Sequence, residues 1–229
     1  MLSIIIPTYN EIEHGYLAEI LPSISNLPNT EIICVDSGSD DGTLELTQSV
    51  NATIHPTTST TRAGRMNAGV DVAKGNTLLF YHPRILIQAA GIAELAQTNE
   101  ITWGGFLHKF TPPGKLYKFI SWYSNNVRFK KKHIVYLDHG IFVDRTLAEK
   151  VFPIPDEPIF EDTILSLRLK EHATPKLLEH TALVSPVRFE TRGPFRQFLG
   201  NQVLKLLFSL GVKPTTLNNW YEGKLRLNG

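Results

Sequence analysis

The first eighty or so residues alternate short apolar runs with segments of helical periodicity, a pattern that restricts the chain to strand and crossover-helix units around a parallel sheet. Ser3 to Ile6 reads as a buried strand closed by Pro7, Glu31 to Val35 as a second, Ala52 to Ile54 as a third and Thr77 to Tyr81 as a fourth. Leu17, Ile20, Leu21 and Ile24 recur at helical spacing, with Pro22 limiting the regularity of that helix. Asp40, Asp41 and Gly42 make a turn with a capping residue before a helix over Thr43 to Val50, and Arg62 to Ala73 reads as a helix ended by Gly75. Gly140 to Val143 resumes a strand and Asp162 to Leu169 forms a short helix. A longer helix over Pro194 to Leu210 puts Phe195, Phe198, Leu199, Val203, Leu206, Leu207 and Leu210 on one side and Gln197, Asn201 and Lys205 on another. From Trp103 to Lys132 the pattern is less regular: Pro112 and Pro113 are followed by a mixture of aromatics and lysines.

A chain of 229 residues has room for one domain of ordinary size, or one with a small appended element. With 42% apolar and 20% charged residues it has the composition of a globular protein. Its longest apolar runs are about five residues, against the roughly 20 needed to span a bilayer. Met1 leads straight into a strand-like run, with no secretory signal, so a cytoplasmic protein is expected. A single cysteine, Cys34, supports neither an internal disulfide nor a structural zinc site and reads as a small buried strand residue. The net charge of +1 says little, but its distribution says more. No acid lies between Glu100 and Asp138, where Lys109, Lys115, Lys118, Arg128 and Lys130 to Lys132 fall, and from Thr191 onward six Lys and Arg face one acid, Glu222. Two basic segments point to something anionic, a phosphate-bearing ligand or a membrane surface. No nucleic-acid module is recognisable, and RNA binding is a poor fit.

In an open parallel sheet the ligand sits beyond the carboxyl ends of the strands, so the residues that follow each strand are the informative ones. After the first strand comes Pro7-Thr8-Tyr9-Asn10-Glu11, with two side-chain hydrogen-bonding groups and an aromatic face. Neither GxGxxG nor GxxxxGK[ST] occurs, which argues against a dinucleotide-binding Rossmann enzyme and a P-loop NTPase. After the second strand, Asp36 to Thr43 holds three carboxylates and two glycines in eight residues. An exposed turn with a helix cap accounts for Asp40 to Thr43 as well as a ligand does, but it accounts less well for Asp36 at the strand end.

IIIPTYNE (Ile4 to Glu11) followed by VDSGSDDGT (Val35 to Thr43) resembles the nucleotide-binding start of the inverting family 2 glycosyltransferases of the GT-A fold. The resemblance continues in order through RAGRMNAG (Arg62 to Gly69), GNTLLFYH (Gly75 to His82), LDHGIFV (Leu137 to Val143), PIFEDTILSLRLK (Pro158 to Lys170) and SPVRFETRG (Ser185 to Gly193). Within the family the chain is most similar to the small soluble transferases grouped with arsenosugar biosynthesis. The resemblance implies an α/β protein with a mostly parallel central sheet flanked by helices: a GT-A domain over residues 1–193 and a C-terminal helical extension over 194–229 packed on or near it. It implies that Pro7, Tyr9 and Glu11 line the base and ribose pocket and that Asp36 accepts a hydrogen bond from the base, a charged acceptor holding an imide N–H more strongly than a neutral one. Arg62 and Arg65, on one helical face, would reach the diphosphate, with a solvated helix edge as the alternative. Glu161-Asp162 resembles the family's catalytic pair, Asp162 taking the proton of the acceptor hydroxyl and Glu161 positioning it; capping of the following helix is compatible with that role. Asp138-His139 stands where the family places an acidic residue near acceptor or sugar, or forms a structural hydrogen bond. Arg188 and Arg192 close over the diphosphate or pair with Glu190 on the surface, a contact worth at most about 1 kcal/mol.

One departure is chemical. Where the family closes its fourth strand with an aspartate motif that holds a divalent metal, this sequence has Tyr81-His82-Pro83-Arg84. A guanidinium carries donors only and stays protonated, so it cannot ligate Mn2+ or Mg2+, but it can pair with phosphate oxygens. Three consequences compete: metal-independent transfer with Arg84, Arg62 and Arg65 neutralising the leaving group; a metal held through His82, Asp138 or His139; or a relative that binds nucleotide-sugar or a protein partner without turnover. The expected function is inverting transfer of a sugar from a nucleotide-diphosphate donor, UDP-sugar favoured, to an acceptor hydroxyl, as in hexosyltransferases. No cofactor is assigned, Arg84 standing against a metal, and the acceptor is unassigned. A sugar nucleotidyltransferase would need a glycine- and arginine-rich loop after strand one, which Pro7 to Glu11 does not supply. Lys115 to Tyr123 reads either as an amphipathic helix at a membrane interface, peripheral to its inner face, or as core packing with a lysine-rich outer side. The Pro194 to Leu210 helix offers the same choice, with homodimer contact as a third.

Overall fold

The computed structural model describes residues 1–13, 16–98, 100–186, 189–190 and 193–222. Its strands are β1 (Leu2–Thr8), β2 (Thr30–Asp36), β3 (Thr53–Pro56), β4 (Thr77–Phe80), β5 (Ile85–Ile87), β6 (Trp103–Phe110), β7 (Ile141–Asp144) and β8 (Lys176–Val184). They form one sheet in the order β3-β2-β1-β4-β7-β6-β8-β5. β1 to β4 run parallel, as do β6 and β8, while β7 is antiparallel to β4 and β6, and β5 to β8. The parallel half opens the carboxyl ends of β1, β2 and β4 toward the loops singled out above.

Helices cover both faces, which is why β1 is apolar along both of its sides. Leu2, Ile4 and Ile6 meet α1 (Leu17–Ile24) and α4 (Ala89–Gln97) on one face. Ile5 meets α3 (Arg62–Val72), α6 (Arg145–Val151) and α7 (Glu161–Leu169) on the other. The remaining helices are α2 (Thr43–Gln48), α5 (Lys115–Tyr123), which runs into a π-helical turn over Ser124–Phe129, α8 (Pro194–Ser209) and α9 (Pro214–Glu222). Cys34 is a buried residue of β2, as expected, and loss of solvent pushes its thiol up to about 12. No described helix is long and apolar enough to cross a membrane.

Three strands go beyond the sequence reading: β5, β6 and β8. β6 begins Trp-Gly-Gly-Phe and shows no alternation, because its glycines answer a close approach: a Cβ on Gly104 would overlap the Lys176 carbonyl of β8. The second difference concerns α8. Its polar residue Gln197 is buried, whereas Phe195, Leu199, Val203, Leu206 and Leu210 are 48–71% exposed, so the helix turns its apolar stripe away from the protein. On the flank facing α9, Leu204, Leu207 and Phe208 pack with Val212, Leu217, Ile159 and Phe160.

Two glycines test this description. Gly104→Ala is expected to lower stability by about 2–3 kcal/mol, since backbone rather than a flexible side chain meets the new methyl. Gly200→Ala, exposed within α8 with open space around it, should raise stability by about 0.5–1 kcal/mol. Denaturant melts of the two variants check both signs.

Candidate functional site

The loops after β1 and β2 are tied together by one carboxylate. Asp36 Oδ1 accepts the backbone N–H groups of Gly38 and Ser39, each at 2.8 Å, and Oδ2 accepts the hydroxyls of Thr8 at 2.8 Å and Ser39 at 2.6 Å. A carboxylate offers about four acceptor positions, and all are filled. Gly38 supplies the φ of +91° that lets the chain fold back over the carboxylate. Asn10 N–H donates to Ser39 Oγ, Asn10 Oδ1 accepts from Asp40 N–H, and Asp41 accepts from Ile12 N–H. Pro7 is buried within β1, while Tyr9 beside this lacing is 37% exposed.

Next to the loops lies a cavity of about 530 Å³, of small-molecule size. Arg62 of α3, His82 and Arg84 after β4, His108 of β6, Asp138 before β7, and Glu161 and Asp162 at the start of α7 all line it. Two buried glutamates are compensated by arginines: Glu161 pairs with Arg62, and Glu11 Oε2 lies 3.1 Å from Arg84 Nε. Burial works against the Arg62 charge, but the Glu161 carboxylate, with Asp162 and Glu11, outweighs it and raises its pKa. Arg65 does not join Arg62 at the cavity wall. It is 2% exposed and donates from Nη1 to Ser37 Oγ at 2.9 Å, so the turn after β2 takes it up although helical spacing puts both arginines on one face. Burial, then the neighbouring Arg62, pushes its pKa down to about 10, still a cation at neutral pH.

α7 is entered through Phe160 at φ 69°, a left-handed conformation that a bulky residue holds only under constraint. Its ring stacks on Phe208 of α8, centroids 4.4 Å apart. The chain then turns Glu161 and Asp162 to the cavity. Asp162 Oδ1 accepts from Thr163 N–H at 2.6 Å and Oδ2 from Leu137 N–H at 3.3 Å. Burial, followed by the Glu161 and Asp138 carboxylates, pushes the Asp162 pKa up to about 7.

Asp138 and His139 separate in role. Asp138 lines the cavity with Oδ2 3.4 Å from His108 Nε2. Burial works to raise its pKa, but the His108 and His139 imidazoles and Arg128 overcome this and hold the carboxyl well below the usual range. His139 is fully buried. Its Nδ1–H donates to the Phe106 carbonyl at 2.8 Å, so Nε2 accepts from the Ser124 hydroxyl at 2.8 Å, and burial pushes its pKa down to about 3. Both ring nitrogens of His139 are thus taken up by hydrogen bonds within the protein. His82 Nδ1 accepts from Arg84 N–H at 3.1 Å. Among the described residues no three His, Cys, Asp or Glu side chains form a group that could hold a metal ion, so His82, Asp138 and His139 make no such set. Arg84, which follows β4 on the cavity wall, offers donors only and cannot itself ligate a divalent ion.

The far wall was not anticipated. Arg128 and Lys205 both sit over the Tyr136 ring, Cζ at 4.1 Å and Nζ at 5.1 Å from its centroid. Burial, then Arg128, pushes the Lys205 pKa down to about 7. The available signal was the polar stripe Gln197, Asn201, Lys205 on an otherwise apolar helix; Asn201 and Lys205 line the cavity. Arg188 and Arg192 lie outside the described residues.

The raised Asp162 pKa makes a stability prediction. An aspartate near 3.9 in the unfolded chain and near 7 when folded binds more protons in the folded state between those values, so stability falls as pH rises through that window. Asp162→Asn should therefore stabilise the protein by about 1 kcal/mol or more at pH 8, with the gain shrinking toward pH 4 in melting curves.

Residues 3–82 match the family described as Glycosyl transferase family 2. None of the curated proteins compared with the chain matches it. Among solved structures the chain is similar to S. aureus TarS 1–349 in complex with UDP-GlcNAc, at 18% identity and a TM-score of 0.63, covering 80% of this chain and 58% of that one. It is similar to S. aureus TarS 1–349 alone at 16% identity and a TM-score of 0.65, covering 100% and 73%. It is also similar to glucosyl-3-phosphoglycerate synthase from Mycobacterium tuberculosis in complex with Mn2+, UDP and glucosyl-3-phosphoglycerate, at 13% identity and a TM-score of 0.56, covering 81% and 70%. The match to the first of these spans less than two thirds of that TarS chain's length. The chain thus has the GT-A fold of these glycosyltransferases, with a glycosyl transferase family 2 domain matched over residues 3–82.

Proposed function

We propose that the protein transfers a sugar from a nucleoside-diphosphate donor to an acceptor hydroxyl with inversion, without a divalent metal. The observation that carries this reading is Asp162, a carboxylate on the cavity wall whose proton affinity is raised to near neutrality while the adjacent wall presents Arg62 and Arg84. A general base is most effective with its pKa near the working pH. UDP is the favoured nucleotide because the similar TarS and M. tuberculosis structures hold UDP-GlcNAc and UDP.

In this reading the nucleotide lies across the ends of β1 and β2, with Tyr9 offering an aromatic face. Asp36 chiefly holds the turn; its contact with a base N–H requires the Ser39 hydroxyl to turn away, since every acceptor position is in use. The diphosphate takes up Arg62 and Arg84, exchanging part of each glutamate pairing for phosphate oxygens, which suit the planar guanidinium fork. Asp162 accepts the proton of the acceptor hydroxyl as its oxygen attacks the anomeric carbon. The bond from that carbon to the diphosphate oxygen breaks with its electron pair leaving on the diphosphate, and the arginines stabilise the developing charge. One displacement inverts the centre. Glu161, held by Arg62, fixes the start of α7 and so the direction of Asp162. In this reading the part of the 194–229 extension that the structure describes, residues 194–222, supplies one wall of the cavity through α8.

Calorimetric titration with UDP and GDP, each in manganese and in EDTA, tests the donor site. UDP should bind equally well in EDTA, and Arg84→Met should weaken it about tenfold or more. Binding only with manganese would replace the arginine mechanism with a metal one. Asp162→Asn should retain UDP affinity within about twofold and lose turnover, and the wild-type rate should rise with pH through about 7 as the base ionises. UDP binding without turnover of any UDP-sugar would leave a silent relative.

A further inference from the structure

We propose that the outer faces of α5 and α8 together dock the protein on an anionic lipid bilayer, independently of the transfer reaction. α8 reverses the usual arrangement of a surface helix, in which the apolar stripe faces the core. Asn201 and Lys205 line the cavity, and Gln197, buried, donates to Asn201 Oδ1 at 2.8 Å. On the opposite side Phe195, Leu199, Val203, Leu206 and Leu210 recur three or four residues apart as an uncovered ridge of about 24 Å. Exposed apolar stripes of this size mark a surface that something covers.

The ridge continues onto α5. Phe119 packs against Phe198 at 6.4 Å and stacks with Trp122 at 6.1 Å, and Phe119 and Trp122 are 49% and 54% exposed. Lys115, Lys118, Phe119 and Trp122 follow i, i+3, i+4, i+7 spacing, so two exposed lysines share one helix face with two exposed aromatics. Arg196 in the first turn of α8 and Lys213 just past its end are also exposed. No Asp or Glu occurs from Ile101 to Leu137 or from Thr191 to Tyr221, the stretches that contain both helices.

The charge selects the occupant. A second copy docked on the same face would bring the lysine-bearing rims together, with no carboxylate from either helix to neutralise them. An anionic bilayer supplies what the face lacks, negative headgroups for the cations and hydrocarbon for the ridge, with aromatic rings at the boundary. α8 would lie in the plane of the headgroups, so the cavity that Asn201 and Lys205 line would be one helix thickness, about 10 Å, from the lipid.

Flotation with vesicles tests the proposal, using phosphatidylcholine alone and phosphatidylcholine mixed with phosphatidylglycerol. The protein should float with the mixed vesicles and far less with the neutral ones, and raising salt to about 0.5 M should release much of it. Leu199→Asp with Leu206→Asp, both more than half exposed, should cut binding at least about tenfold with an unchanged melting curve. Lys115→Gln with Lys118→Gln should cut it several-fold on the mixed vesicles only. Failure to float with phosphatidylglycerol vesicles, or binding that the leucine pair leaves intact, overturns the proposal. So does a dimer in sedimentation velocity that the leucine pair dissolves, which would assign the face to a second copy.

Discussion

Glu11, Glu161, Asp162 and Asp138 stand in or against the wall of one cavity, and carboxylates so placed repel one another unless cations are set among them. The fold sets the cations unevenly. Arg84 answers Glu11 and Arg62 answers Glu161, while Asp138 lies beside the His108 ring and Asp162 accepts hydrogen bonds from Leu137 and Thr163. Burial first, and then the Glu161 and Asp138 carboxylates, therefore raise the proton affinity of Asp162, while that of Asp138 falls. One consequence couples the two halves of the site. Arg62 is among the groups that hold the Asp162 pKa down, so an anion that neutralised Arg62 would make Asp162 a stronger base.

Much of the frame was legible because buried parallel strands leave a strong mark. β1 and β2 must be apolar on both faces, so their runs stand out, and the helices between them carry one-sided periodicity. The strands that escaped notice are governed by contacts from elsewhere in the chain. β6 needs glycine at 104 because β8 passes against it, and nothing local announces that approach. Residue order also hid the pairing of β6 with β8 and of β7 with β4, since these partners are more than 60 residues apart.

At the site, position along the chain located the loops but not the side-chain pairings. Asp36 and Arg62 fall where the strand ends and helix spacing put them. Whether a group faces the ligand or the protein depends on what fills its hydrogen bonds, and that is a tertiary matter. Asp36 is saturated by Thr8 and the Gly38-Ser39 turn, Arg65 is taken up near Ser37, and His139 is locked between Phe106 and Ser124. Asp138 and His139 are adjacent in sequence yet one meets the cavity and the other the core, a difference that the 3-10 turn over Leu137–His139 imposes.

α8 joins the interior to the outer surface through its own geometry. A helix has one circumference, and a polar stripe spent on the cavity wall leaves the remaining arc to face outward. Asn201 and Lys205 meet the cavity, Leu204 and Phe208 meet Ile159, Phe160 and α9, and the arc left over holds Phe195, Leu199, Val203, Leu206 and Leu210. Had that arc been polar, the helix would have needed no further cover and its apolar contacts would have been those with α5, Ile159, Phe160 and α9. Because it is apolar, the same element that brings a lysine to Tyr136 inside also presents a ridge outside, and a change in what covers the ridge reaches the cavity through a single helix.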